Sequence, residues 1–234
     1  MVNYEALPLF PLHVVLYPDM PLPLHIFEPR YKEMIKRCRE EKSQFGIVLI
    51  KNDADNSTVP VSYNVGTTAR ITQYEELSDG RINIEVVGET RFRITEIYRN
   101  RPYLTASVEP FWEIATDPYE LKPAHEKVSG LFRTYLRSLL AMTNRSLGLV
   151  RLPSEPEFLS YAIASVLQIP MSDKQGLLEI VTTETRLRRE TDILQHEILA
   201  QQDLNNLISK PHGAKQAKIT PMNYRNYSNL ICRN

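Results

Sequence analysis

Glycine is scarce in this chain of 234 residues, with 8 glycines against 16 prolines. Such a chain turns at fixed corners more than through flexible loops. The glycines stand at 46, 66, 80, 88, 130, 148, 176 and 213, and none precedes a lysine. The glycine-rich loop that ends in Gly-Lys-Ser/Thr and cradles nucleotide phosphates is therefore missing. Cysteine is scarcer still. Cys38 and Cys232 are far apart, which makes no disulfide framework and fits a cytoplasmic setting. Excess charge is also missing, since 28 Lys+Arg balance 28 Asp+Glu. Bulk attraction to nucleic acid or anionic membrane is not expected. No apolar run approaches the ~20 residues that cross a bilayer, and the N-terminus lacks the pattern of a signal peptide. The histidines at 13, 25, 125, 196 and 212 have no tight spacing to one another or to cysteine, so neither metal nor cofactor is expected.

What is present is ordinary globular composition, 42% hydrophobic and 24% charged, arranged in two styles. Up to about residue 116 the pattern is that of strands. Val14–Tyr17 reads as a short buried strand, and Leu22–Phe27 as a second, entered through Pro21 and Pro23. Pro29 opens a helix on which Tyr31, Met34, Ile35 and Cys38 form one apolar stripe. Strands follow at Phe45–Ile50 and Val65–Tyr74, with a polar loop from Lys51 to Thr58. Ser78-Asp79-Gly80 is a hairpin signal. Beyond it Ile82, Ile84 and Val86 alternate with Asn83, Glu85 and Val87. Gly88 allows a bend or bulge, and Phe92–Ile97 and Tyr103–Val108 make two further strands.

From Asp117 the period becomes helical. Leu121, Ala124, Val128, Leu131, Tyr135 and Leu139 share a face, although Pro123 disturbs the first turns. Ser154-Glu155-Pro156-Glu157 and Ser172 with Gln175 have capping-box form. A last helix is expected from Thr183 to Ser209. The fold class is thus α+β, with a β-rich subdomain over 1–116, a helical bundle over 117–209, and a tail over 210–234. That tail carries 5 basic residues and no acidic ones, and flexibility is expected of it.

Three blocks together resemble the Lon protease N-terminal domain family. They are Leu7–Tyr31 (LPLFPLHVVLYPDMPLPLHIFEPRY), Val65–Ile97 (VGTTARITQYEELSDGRINIEVVGETRFRITEI) and Phe158–Ile198, which holds Asp173-Lys174-Gln175 and Leu177-Leu178-Glu179. The likeness spans about residues 7–209 and is nearest to free-standing members. It implies a PUA-like β pseudo-barrel carrying one helix, then a helical bundle. It also implies the substrate-selecting region alone, without ATPase or Ser–Lys protease chemistry. The expectation is a non-catalytic, ATP-independent module for unfolded or specific client polypeptides, acting as an adaptor to a separate protease or chaperone. RNA binding is the alternative, because PUA-like folds elsewhere bind RNA.

A half-barrel with a free strand edge could pair with an extended peptide while apolar pockets read alternate side chains. The candidate peptide-binding surface is Met20, Pro21, Leu22, Pro23 and Leu24, with Arg91 and Phe92 nearby. Other conspicuous groups read as structural. Glu28 and Arg30 mark a helix start, His25 is a strand residue, and Glu75-Glu76 is a solvated pair. Cys38 is core, and Arg186, Arg188 and Arg189 form the wet face of the long helix.

Overall fold

A computed structural model describes residues 5–51, 62–141 and 151–208. Most of the expected loop over 51–58, the basic tail and Cys232 lie outside them. The chain divides into two compact units. One comprises Met1–Ile114 and Ala164–Val181, the other Ala115–Ile163 and Thr182–Asn234. The fold is α+β, with six strands and five helices among the described residues. No helix there is long and apolar enough to cross a membrane.

The first unit is built on β1 (Leu7–Leu12), β2 (Pro21–Ile26), β3 (Phe45–Leu49), β4 (Val65–Glu76), β5 (Ile82–Tyr98) and β6 (Thr105–Pro110). The sheet order is β2-β5-β4-β3-β1-β6, and β5 also pairs with β6. The hydrogen-bonding circuit β5-β4-β3-β1-β6-β5 is therefore closed. Closure removes sheet edges from five of the six strands. β2 hangs on the first half of β5, over Ile82–Val87, while β6 takes the second half, over Phe92–Tyr98. Gly88 sits where the partner changes. The sequence suggests two strands either side of it, but β5 runs through unbroken, with a register shift opposite Thr67 and Ala69. The reason for glycine here is proximity, since a Cβ would lie 2.2 Å from the Tyr17 carbonyl oxygen.

The first strand is misplaced by sequence reasoning. Leu7–Leu12 forms β1, and Val15, Leu16 and Tyr17 are buried without strand geometry. A short apolar run has no period that distinguishes strand from buried coil. β1 contains Pro8 and Pro11, yet it pairs with β6 over Leu7–Pro8 and with β3 over Leu9–Leu12. Neither partner asks for an uninterrupted ladder from it.

Phe92 fills the barrel interior and is fully buried with Leu7, Leu9, Val48, Ile94, Ala106 and Val108. Gly46 and Gly66 make room for it, because a Cβ on either would lie within 2.8 Å of the Phe92 ring. The helix α1 (Pro29–Glu40) buries Tyr31, Met34, Ile35 and Cys38, the stripe read from the sequence. Burial pushes the Cys38 thiol up to about 11, which suits a core residue and not a nucleophile.

The helix α4 (Met171–Glu179) belongs to this unit, which corrects the expectation of one helical subdomain over 117–209. It buries Leu177 and Leu178, and two polar contacts help to hold it. Tyr17 Oη donates to the Lys174 carbonyl at 2.8 Å, and Gln175 Nε2 donates to the Val65 carbonyl at 3.0 Å. The Ser172–Gln175 capping box is absent, since α4 starts at Met171 without a side-chain cap. Just after α4, buried Arg91 donates from Nη1 to the carbonyls of Leu178 and Ile180, at 2.7 and 2.6 Å. Its Nη2 meets the Glu113 carboxylate at 2.5 Å, and its guanidinium lies 4.9 Å from the Phe111 ring centre. Ile114 N–H donates to the Val181 carbonyl at 2.7 Å. One guanidinium thus fixes two chain segments on β5.

In the second unit, α2 (Pro118–Ala141) and α5 (Thr183–Ile208) run against each other. Between them α3 (Pro156–Val166) starts in this unit and ends in the other. Val128, Phe132, Tyr135, Leu136 and Leu139 of α2 are buried, as are Leu187 and Leu194 of α5. Arg188 and Arg189 face water, but Arg186 is fully buried, against expectation. It lies 4.1 Å from the Tyr161 ring centre and donates from Nε to Ser160 Oγ at 2.7 Å. Ser160 Oγ in turn donates to Glu190 Oε1 at 2.8 Å. Polar character alone could not show that Arg186 stands one turn from buried Glu190, on the inward side of α5.

Replacing Arg91 by Met should destabilise the protein by about 3–5 kcal/mol, because Glu113 and two carbonyls would stay behind without their donor. Glu113→Gln should cost much less. Urea unfolding of both variants checks this, and equal losses would contradict the clamp. Burial pushes the Glu190 carboxyl well above its ordinary value, against downward pulls from Ser160 and Arg186. The folded state then keeps a proton that the unfolded chain releases. The associated stability is complete below the unfolded value and is lost as pH rises toward the folded one. Glu190→Gln should therefore gain stability relative to the parent between pH 5 and pH 8, by an amount that grows with pH. Denaturant midpoints at both values read this out.

Candidate functional site

The strand edge that sequence reasoning singled out is β2. Asp19 adopts a left-handed conformation, with φ 61°. It donates its N–H to the Gly88 carbonyl at 2.9 Å, and Gly88 N–H returns a bond to Met20 at 3.0 Å. This is a one-residue bulge that steers the chain into β2. In an antiparallel ladder the bonded positions recur at every second residue. Counting from Met20, they are Leu22, Leu24 and Ile26, opposite Val86, Ile84 and Ile82. Pro21, Pro23 and His25 direct their backbone away from β5. Two of these three outward positions are proline and carry no N–H. The expectation that this edge offers free N–H groups to a peptide is corrected at Pro21 and Pro23. The edge is guarded against strand addition.

The side chains tell a different story along the same strand. Pro23, His25 and Phe27 are exposed, Phe27 at 62%, and Pro21, Leu22 and Leu24 are half-buried. Met20, Arg91 and Phe92 are buried. Arg91 pairs with Thr67 and Phe92 with Gly66, past the end of β2 along β5. The accessible part of the expected surface is therefore Pro21–Leu24, continued by Phe27, which sequence reasoning left out. Its signal was available, since Pro23, His25 and Phe27 alternate with the inward residues Leu24 and Ile26.

The polar groups around this strand are occupied with one another. His25 Nδ1 is 2.7 Å from Asn83 Oδ1, and Asn83 Nδ2 donates to Glu75 at 3.2 Å. Glu28 stands at the N-cap of α1 and pairs with Arg30 at 2.7 Å. Lys36 pairs with Glu76 at 2.8 Å, holding that carboxyl below its ordinary value. These are exposed pairs of small energetic weight. Among the described residues no group of three His, Cys, Asp or Glu could hold a metal ion.

A second apolar surface lies at the end of the barrel's last strand. Trp112 and Ile114 are 68% and 58% exposed, with Val181 beside Ile114 through the backbone bond already described. Glu113 between them turns inward to Arg91. The alternation Trp-Glu-Ile is visible in the sequence, but it follows Pro110 and lacks the length of a strand. No sequence pattern identified Arg91 as the group that orients it.

Residues 6–196 match the family described as the ATP-dependent protease La (LON) substrate-binding domain. Among curated relatives, a Lon protease of Syntrophus aciditrophicus is 27% identical over 201 residues, covering 83% of this chain and 25% of that protein. Lon protease 2 of Syntrophobacter fumaroxidans is 29% identical, with the same two shares. The chain thus spans about a quarter of the length of the curated relatives it matches. Among solved structures, the Lon N-terminal domain protein from Xanthomonas campestris is similar at a TM-score of 0.58 and 25% identity. That likeness covers 79% of this chain and 96% of the other. The N-terminal domain of the Mycobacterium avium complex Lon protease shares the fold, at a TM-score of 0.60 and 20% identity over 82% of this chain. With one domain profile running through most of its length, the chain belongs to the Lon substrate-binding domain family.

Proposed function

We propose that this chain is a non-catalytic module that recognises unfolded or specific client polypeptides and passes them to a separate protease or chaperone in the cytoplasm. The observation that carries this reading is the family match over residues 6–196. The exposed apolar side chains support it. Non-native polypeptides differ from native ones in presenting apolar residues on extended backbone, and exposed aromatic and aliphatic groups recognise that difference. Recognition falls to side chains, because Pro21 and Pro23 leave the β2 edge poor in donors. We assign contact to Pro21, Leu22, Pro23, Leu24 and Phe27; Met20 is buried at the start of this strand, and Arg91 and Phe92 are buried past its end along β5, outside the contact. Surfaces of this size hold clients at about micromolar affinity or weaker.

Trp112 is the only tryptophan, so its emission distinguishes the two apolar surfaces. Titration with a permanently unfolded, tryptophan-free polypeptide should give saturable binding by calorimetry, while the native form of the same polypeptide gives none. Phe27→Ser should weaken binding several-fold and Trp112→Ser should not. A blue shift of Trp112 emission on binding would move the contact to the second surface. Flat titrations with several unfolded clients would contradict the function itself.

A further inference from the structure

The outward side of β2, β5 and β4 carries its charge unevenly. Pairing register sets Pro23 beside Glu85 and Glu85 beside Gln73, then His25 beside Asn83 and Asn83 beside Glu75. Directly opposite residues share a face and lie about 5 Å apart. The contacts from His25 to Asn83 and from Asn83 to Glu75 run along that second row. Phe27 joins the same face, its ring centre 6.4 Å from that of His25. Ile82, Ile84 and Val86 point the other way and are buried. The cations of α1 serve that other side. Lys36 reaches Glu76, Arg39 lies 4.0 Å from the Tyr74 ring centre, and Lys32 donates to the Gly80 carbonyl at the hairpin tip. Tyr74 and Glu76 pair with Ile84 and Ile82, so the charge there is matched. On the outward side Arg70 is held by Glu89 and Arg81 by Asp79. Among the described residues no cation pairs with Glu75 or Glu85. Two uncompensated carboxylates therefore stand beside the exposed Pro23, His25 and Phe27.

From this asymmetry we infer that the ledge selects client segments in which a lysine or arginine adjoins the apolar residues, an inference that rests on the client-binding function proposed above. An extended chain laid along β2 presents alternate side chains to Pro21, Pro23 and Phe27. A cation next to those side chains falls beside Glu85 or Glu75. An acidic neighbour is repelled by the same two carboxylates. The edge guarded by Pro21 and Pro23 supplies few backbone bonds, so side-chain charge has more weight in the choice of segment. Both carboxylates are open to water, so the gain per pair is small and weakens with salt. Charge sorts among apolar segments here and does not replace the apolar contact.

The test is calorimetry of the full chain with short unfolded peptides that share one apolar core and are flanked by arginine, glutamine or glutamate. In low salt the arginine peptide should bind on the order of fivefold tighter than the glutamine peptide, and the glutamate peptide more weakly than either. The spread should shrink at about 0.5 M salt. In the double variant Glu75→Gln with Glu85→Gln, the arginine and glutamine peptides should bind alike. Glu76→Gln, on the opposite face, should keep the preference. Equal binding of all the peptides to the unaltered chain would overturn the charge preference and leave client binding standing. A preference that survives in the double variant would overturn its assignment to this face. Binding of none of them would remove the proposed function as well.

Discussion

The fold of the first unit rests on a charge that is kept away from water. Arg91 projects from β5 and is buried, donating to two backbone carbonyls at and after the end of α4 and to the Glu113 carboxylate. A planar guanidinium suits this task, because it spreads its donors in one plane and cannot lose its proton. Bringing it inside is costly, and only complete pairing offsets that cost. The consequence is specificity of arrangement. The segment after β6 and the segment after α4 can lie together in one way, and Trp112 and Ile114 are turned outward because Glu113 between them is held inward.

How far the sequence foretold this depends on the kind of signal. The stripe on α1 and the alternation at Ile82, Ile84 and Val86 were legible because each repeats at the period of its element. The span of α5 was legible for the same reason. Val14–Tyr17 was not, since a short apolar run buried as coil looks like a strand. Gly88 suggested a break and instead marks a contact, as chain curvature and close approach both call for a missing Cβ. The charge of Arg186 points to solvent by composition alone, and only its tertiary partners, Ser160 and Tyr161, place it inside. At the candidate surface the strand was legible. The inward turn of Met20, Arg91 and Phe92 was not, because it depends on pairing register and on two distant glycines.

The two apolar surfaces differ in how they are supported. Phe27 stands at the end of a strand held by a continuous ladder to β5, next to the start of α1. Trp112 stands on a short extended segment that is fixed through its neighbours. The first is a rigid ledge, and the second follows whatever happens to the Arg91 clamp. Apolar groups mounted on a firm base require less ordering on contact.

The discontinuity of the first unit bears on how the protein is made. Its barrel strands all precede residue 111, but the carbonyls that complete Arg91 belong to Leu178 and Ile180. During synthesis from the N-terminus, the strands emerge long before those acceptors do. Until residue 181 has left the ribosome, the guanidinium must remain hydrated or find temporary company. The barrel is therefore finished late, after α2, α3 and α4 have already been translated.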